Sequence, residues 1–308
     1  MRRTLGPILI LLGGFFLVLA LLARFYMFSH LLKTPLNVDS TTYLSGTAAL
    51  GTGPQFPVRV TSITRADSAR SGGSIVVFNN STCVVKNVGN PPDCVPSSDA
   101  QNRLISASTD TFATNRRSAL AVNDPKYVPS TAGQHQGLIN KFPFQTQKKD
   151  YQFWDGTANQ ALTAKFSGVA TINGLNTYVF KTSVAHAPIE IAKGVKGTYS
   201  NNSTVYAEPL TGTIINQSQD QVRANSSGAP VLTLKAQYTK AQQATEVKDT
   251  RANVNKLHLV HNVLPIGALV LGLLAMIFGI LVLGRSDRRD STEAQRADDS
   301  QAEPSSAT

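Results

Sequence analysis

The chain has 308 residues, of which 42% are hydrophobic, 7% aromatic and 16% charged, and it carries a formal charge of +10 at pH 7. Two cysteines are too few for a disulfide-dense scaffold, and neither has a histidine nearby at metal-ligand spacing, so a zinc module is excluded. The length would suit two average domains, but two long uncharged runs at the ends reduce what is left to fold in water.

The first run, LGPILILLGGFFLVLALLA from Leu5 to Ala23, holds no charge over 19 residues. As a helix rising about 1.5 Å per residue it nearly crosses a hydrocarbon core of roughly 30 Å. Asn262 to Gly284 gives 23 further uncharged residues. A helix satisfies its own backbone hydrogen bonds where no water can, so both runs read as transmembrane helices. Arg2 and Arg3 would also suit the n-region of a cleaved signal peptide, but no small-x-small site follows before Arg24, which favours an uncleaved anchor.

Arg2 and Arg3 precede the first run, and Arg285, Arg288 and Arg289 follow the second, so the positive-residue bias places both termini in the cytoplasm. The layout expected from these signals is a cytoplasmic N-terminus (1–4), a first transmembrane helix (5–28) and an exported β-rich domain (29–238). A membrane-proximal helix (239–261), a second transmembrane helix (262–284) and a disordered cytoplasmic tail (285–308) follow. Residues 29–261 carry 22 Lys or Arg against 13 Asp or Glu, a net of +9. That charge fits a surface facing anionic headgroups or acidic envelope polymers, with ordinary solubility charge as an equal reading. No stacked-aromatic motif points to nucleic acid.

Within the exported part, NVDSTTYLSGTAAL and PVRVTSITR alternate and are rich in β-branched residues, so both read as strands, with SIVVFNNSTCVV as a third. Cys83 and Cys94 flank the turn-rich KNVGNPPD, and an oxidising compartment favours a disulfide between them, free thiols being the alternative. Residues 97–150 mix short apolar pairs with Gly, Pro, Ser and Thr, which predicts short strands and long loops. Asn173-Gly174, between AKFSGVATI and LNTYVFKT, is a strong hairpin signal because a type I′ turn needs positive φ at both central residues. That register sets Ile172 opposite Leu175, Val169 opposite Tyr178 and Ser167 opposite Phe180. STVYAEP, GTIINQ and VLTLKAQY read as later strands, and TKAQQATEVKDTRANVNKLHLV, free of Gly and Pro, as a helix.

Few constellations could carry chemistry. None of the five histidines sits in a nucleophile-elbow signature, and His258 and His261 share a helix face without a third ligand at matching spacing. Asp155, after the single Trp154, is more simply the first residue of an Asp-Gly turn than a catalytic acid. Trp154, Phe166, Tyr178 and Phe180 could wall an apolar cavity for an acyl chain, or only fill the core. Arg116 and Arg117 could grip an anionic headgroup, or be solvated. Asn-x-Ser/Thr triplets at Asn79, Asn80, Asn201, Asn202, Asn216 and Asn225 read as polar turns. No catalytic residue, metal or cofactor is expected.

The anchor running into ARFYMFSHLLKTPLNVDSTTYLSG, then FWDGTANQALTAKFSGVATINGLNTYVF, then TVYAEPLTGTII, and the closing span together resemble an actinobacterial porin PorA-like family, otherwise a domain of unknown function. The resemblance covers nearly the whole chain outside the tail. The family includes the polar growth factor PgfA of mycolic-acid bacteria, so the resemblance implies trafficking of a trehalose mycolate beside an MmpL-type lipid exporter, or a part in lipoglycan maturation. The porin label conflicts with the physics, because a spanning barrel needs many strands of ~10 residues with outward apolar faces and no spanning helix.

The fold class expected is thus a membrane protein with a mainly β (α+β) exported domain flanked by N- and C-terminal transmembrane helices. The function expected is non-catalytic binding or trafficking of a membrane glycolipid, with an envelope-assembly enzyme or regulatory subunit for lipoglycan synthesis as the alternative. An elongated apolar cavity would mark a binder, and convergent acids or a His-paired nucleophile in a polar cleft an enzyme.

Overall fold

The structure, a computed structural model, describes the backbone of residues 2–301 and the side chains of residues 4–284. It divides into two compact units, one of residues 1–31 with 255–308 and one of residues 32–254.

The first unit is a pair of helices. Helix α1 (Arg2–Leu21) passes through a π-helical segment, Leu22–Met27, into the short α2 (Phe28–Leu31). Its partner enters through a second π-helical segment, Leu259–Val263, and continues as α4 (Leu264–Gln301). Both are long and apolar enough to cross a membrane. Helix α4 extends to Gln301, into the segment whose composition predicts disorder, and residues 302–308 of that tail lie outside the described residues.

Glycines set the contact. A Cβ added to Gly13 would stand 2.8 Å from the Gly272 carbonyl oxygen, and one added to Gly272 would stand 2.9 Å from that of Gly13. Gly6 and Gly279 repeat the arrangement one heptad away, at 3.2 and 2.9 Å. Since Gly13 meets Gly272 and Gly6 meets Gly279, the helices run antiparallel. Lipid tails are as apolar as leucine, so packing rather than water exclusion must hold such helices together, and small residues let the backbones approach.

The second unit is one antiparallel sheet of 11 strands, β1 (Asp39–Leu50), β2 (Phe56–Ala66), β3 (Ile75–Lys86), β4 (Leu104–Asn115), β5 (Ala121–Val122), β6 (Tyr151–Asp155), β7 (Gln160–Ile172), β8 (Leu175–Ala192), β9 (Val195–Ala207), β10 (Ile214–Asn225) and β11 (Pro230–Tyr238). Spatially the order is β5-β4-β3-β2-β1-β11-β10-β9-β8-β7-β6, so the first and last strands of the chain meet at the centre. The sheet curls into a half-barrel, and residues 137 and 138 span the gap between its edges. Ala121 N donates to Gly137 O at 2.8 Å on the β5 side; Leu138 N donates to Gln152 O at 2.8 Å and Trp154 N to Leu138 O at 2.7 Å on the β6 side. Ala121 on one edge and Gln152 and Trp154 on the other thereby find backbone partners.

The Asn-Gly turn forms as the sequence predicts, with φ of 45° at Asn173 and 77° at Gly174. Ile172 opposes Leu175 and Val169 opposes Tyr178, but a bulge at Ser167 sets Phe166, not Ser167, against Phe180. Helix α3 (Lys240–His258) follows β11, its first turn capped by Thr239 Oγ1, which accepts from Gln242 N at 3.1 Å. The Asn-x-Ser/Thr triplets at Asn79, Asn80, Asn201, Asn202 and Asn216 lie inside β3, β9 and β10 rather than in turns, a correction whose reason lies in the concave face.

The core occupies one part of that concave face. Phe142, on the loop between β5 and β6, stacks on Phe180 at 4.3 Å between ring centroids and on Phe153 at 5.5 Å, with Tyr151 edge-on at 5.5 Å. Val60, Val84, Val205 and Leu234 come to the same cluster from β2, β3, β9 and β11. A disulfide between Cys83 and Cys94, with Cα atoms 5.6 Å apart, anchors the loop after β3 and packs with Val85 and Val95.

Candidate functional site

The rest of the concave face encloses a cavity of about 810 Å³, inside the range of roughly 300–1,000 Å³ common for small-molecule sites. Strands supply its walls by simple alternation. On β9 and β10, Tyr199 opposes Arg223, Asn201 opposes Gln221 and Ser203 opposes Gln219. On β3 and β4, Asn80 opposes Asp110 and Thr82 opposes Ser108. Further along the same strands Val84 and Val205 replace the polar residues and join the core, so the polar chamber stands on an apolar floor.

Trp154 and His135 meet at the chamber's edge, their rings 5.0 Å apart. His135 is 4% exposed; Asn123 clamps its backbone through two hydrogen bonds, and its Nε2 lies 2.8 Å from Asp110 Oδ2. Its Nδ1 has no hydrogen-bond partner among the described residues. Asp155 is fully engaged: Oδ1 accepts from the Thr157 and Ala158 amides at 3.0 Å, and Oδ2 from Tyr199 OH at 3.2 Å and Asn201 Nδ2 at 3.4 Å. Burial, and then the Asp155 charge, push the Tyr199 hydroxyl well above the ordinary tyrosine pKa, so it remains a donor.

Six buried side-chain polar atoms lack a hydrogen-bond partner among the described residues, and four belong to residues lining this cavity: His135 Nδ1, Asn201 Oδ1, Gln221 Oε1 and Arg223 Nε. Each such atom costs about 1–3 kcal/mol relative to one that is satisfied. Gathering four around one chamber, three of them on the β9–β10 wall, is a burden on folding that a polar ligand, drawing these side chains round, would relieve. No group of three or more His, Cys, Asp or Glu able to hold a metal occurs among the described residues.

The residues singled out from sequence separate. Trp154 lines the cavity. Phe180 is fully buried in the aromatic stack, while Phe166 and Tyr178 meet edge-on at 5.7 Å against the same core, away from the chamber. Arg116 is a structural tie, its Nε donating to Thr34 O at 2.6 Å and Nη1 to Gly73 O at 3.0 Å; Arg117 is exposed on the adjoining turn. Neither lines the cavity. The polar wall was missed, although the alternating Asn, Ser and Gln of SNNSTVY and NQSQDQVR were its signal.

The large apolar side chains left exposed concentrate on α1 and α4, and in the strands only Leu50, Val169 and Val195 are so placed among the described residues. The sheet therefore has no apolar belt of the kind that lipid-facing strands require. Fold and site together define a mainly β protein with a polar-chambered half-barrel and two terminal helices able to span a membrane. The chain belongs to the family described as Porin PorA, whose model matches residues 5–281. No curated protein matches it. Among solved structures, a LolA superfamily protein from Nitrosomonas europaea shares 12% identity over 74% of this chain and 93% of its own, with a TM-score of 0.16, a likeness too slight to carry an argument.

Proposed function

We propose that this protein is a non-catalytic component of an actinobacterial cell envelope that binds a glycolipid, of trehalose-mycolate or lipoglycan type, on the outer side of the inner membrane. The carrying observation is the chamber with its four unpartnered buried polar atoms. Sugar hydroxyls both donate and accept, so one polyol can serve the Asn201 and Gln221 carbonyls and the Arg223 N–H together once these side chains turn into the chamber. Trp154 offers an apolar ring to a pyranose face. The polar lining favours the sugar part of such a lipid as the occupant, rather than the acyl chain for which an apolar wall was expected. In this reading the termini are cytoplasmic, and an MmpL-type exporter is a membrane partner that supplies or receives the lipid.

Trp154 is the only tryptophan in the chain, so its fluorescence reports the chamber directly. Titrating the full-length protein in a neutral detergent with a short-chain trehalose ester should give a saturable change in emission, and mass spectrometry of the purified protein should find glycolipid. A flat titration with no co-purified glycolipid would end the proposal.

The Asp110–His135 contact inside a polar chamber favours the second reading, an envelope-assembly enzyme or its regulatory subunit. Time-dependent conversion of the bound lipid that stops in His135→Ala would establish it; unchanged lipid after prolonged incubation would leave binding as the function.

A further inference from the structure

The helix pair carries a second, separate site. Its two π-helical segments, Leu22–Met27 and Leu259–Val263, pack against each other. Such turns are rare, occur frequently at functional positions, and leave a backbone carbonyl without its usual helical donor. Here Arg24 fills that role from the facing helix: Nη1 donates to His261 O at 2.9 Å, and lies 3.0 Å from His261 Nδ1 and 3.4 Å from Asn262 Oδ1. Among the described residues, every side-chain hydrogen bond of Arg24 runs through Nη1. The opposite edge, Nε and Nη2, carries the two parallel N–H bonds that match two oxygens of a phosphate, and it makes no hydrogen bond or ion pair among the described residues.

No acidic side chain stands beside this charge among the described residues of the unit. Residues 4–31 and 255–284 include no Asp or Glu, while they include Arg24, Lys256, His30, His258 and His261. A cation at the boundary of an apolar span demands a counter-charge, and the described residues of this unit supply none. Phe25 and Tyr26 beside Arg24 are 72% and 59% exposed, an aromatic flank suited to the upper part of an acyl chain.

We propose that Arg24, fixed by the partner helix, is the anchor of a binding site for the phosphate-bearing headgroup of an anionic bilayer lipid. This site is independent of the sugar chamber. The full-length protein is placed in phosphatidylcholine nanodiscs doped with phosphatidylglycerol, and retained lipid is counted by native mass spectrometry. Wild type should retain phosphatidylglycerol over phosphatidylcholine by about tenfold. Arg24→Gln should bring the ratio to parity. Arg24→Lys, which keeps the charge and the span but loses the fork, should lose most of it. An unchanged ratio in a folded Arg24→Lys protein would overturn the proposal, as would displacement of the lipid by equimolar inorganic phosphate, which would assign the site to a free anion. Trp154 emission on sugar titration should be the same in all three proteins, so failure here and failure of the chamber reading remain distinct.

Discussion

The concave face of the sheet contains two regions built from the same strands and opposite chemistry. Around Phe142 and Phe180, side chains are buried among apolar partners and contribute stability in the ordinary way. Around Asn201, Gln221 and Arg223, side chains are buried or half-buried, yet one polar atom of each, with His135 Nδ1 at the chamber's edge, has no hydrogen-bond partner among the described residues. Burial in the first region explains the fold. In the second it costs stability, a cost that the proposed sugar ligand would offset.

The contrast breaks most visibly at its apolar side. Phe180→Ala removes the ring that Phe142 stacks on at 4.3 Å and leaves a cavity on a fully buried site, so unfolding free energy should fall by about 3–5 kcal/mol. Denaturant midpoints of the two proteins measure it, and a loss below about 1 kcal/mol would mean the stack is not the centre of the core. Cys83→Ala with Cys94→Ala should cost next most, about 2–4 kcal/mol, because opening the bond frees the loop after β3 in the unfolded chain. Sugar-induced change in Trp154 emission should survive that double substitution at concentrations where the protein stays folded.

The two regions were not equally legible in the sequence. Apolar runs and caps announce themselves: the two spans, the Asn-Gly hairpin and most strands follow from local pattern because each signal needs only its own neighbours. The polar wall follows the same period of two, but its inward positions are Asn80, Thr82, Ser106, Ser108, Asp110, Asn201 and Gln221, so alternation reads as a solvent face or a turn. Strand β4, LISASTDTFATN, was hidden in just this way, since its cavity-facing residues are those that ordinarily mark loops. Trp154 and Phe180 could not be told apart, because which aromatic joins the core depends on Phe142, a residue 12 positions from one and 38 from the other in a loop without local pattern. Gly6, Gly13, Gly272 and Gly279 were readable as paired heptad spacings, but their meaning depends on the antiparallel match between distant segments.

A single substitution on the polar side sharpens the comparison. In Gln221→Leu the buried Oε1 without a partner disappears, and the amide it leaves behind, Gln219, is half-buried and can turn to water. Stability should rise by about 1 kcal/mol, the relief of one unsatisfied acceptor, while the sugar titration of Trp154 weakens. A destabilised variant with intact binding would reverse the assignment of this wall.

The last effect concerns the border of the apolar region and depends on pH. Lys141 places Nζ 3.7 Å from the centre of the Phe144 ring, and burial draws its ammonium pKa down to about 7, with the Glu208 charge partly opposing. In the unfolded chain the amine returns to its ordinary value of 10.5. Between those two values the unfolded chain holds the proton that the folded chain has released, so stability rises with pH across the window. Below pH 7 both states are protonated and the cost of burying the charge is felt in full. Lys141→Met should therefore be more stable than wild type at pH 6.5, with the advantage shrinking by pH 9. Urea midpoints at the two pH values give the answer, and a constant advantage at both would show that the amine is solvated and that the apolar region ends before Lys141.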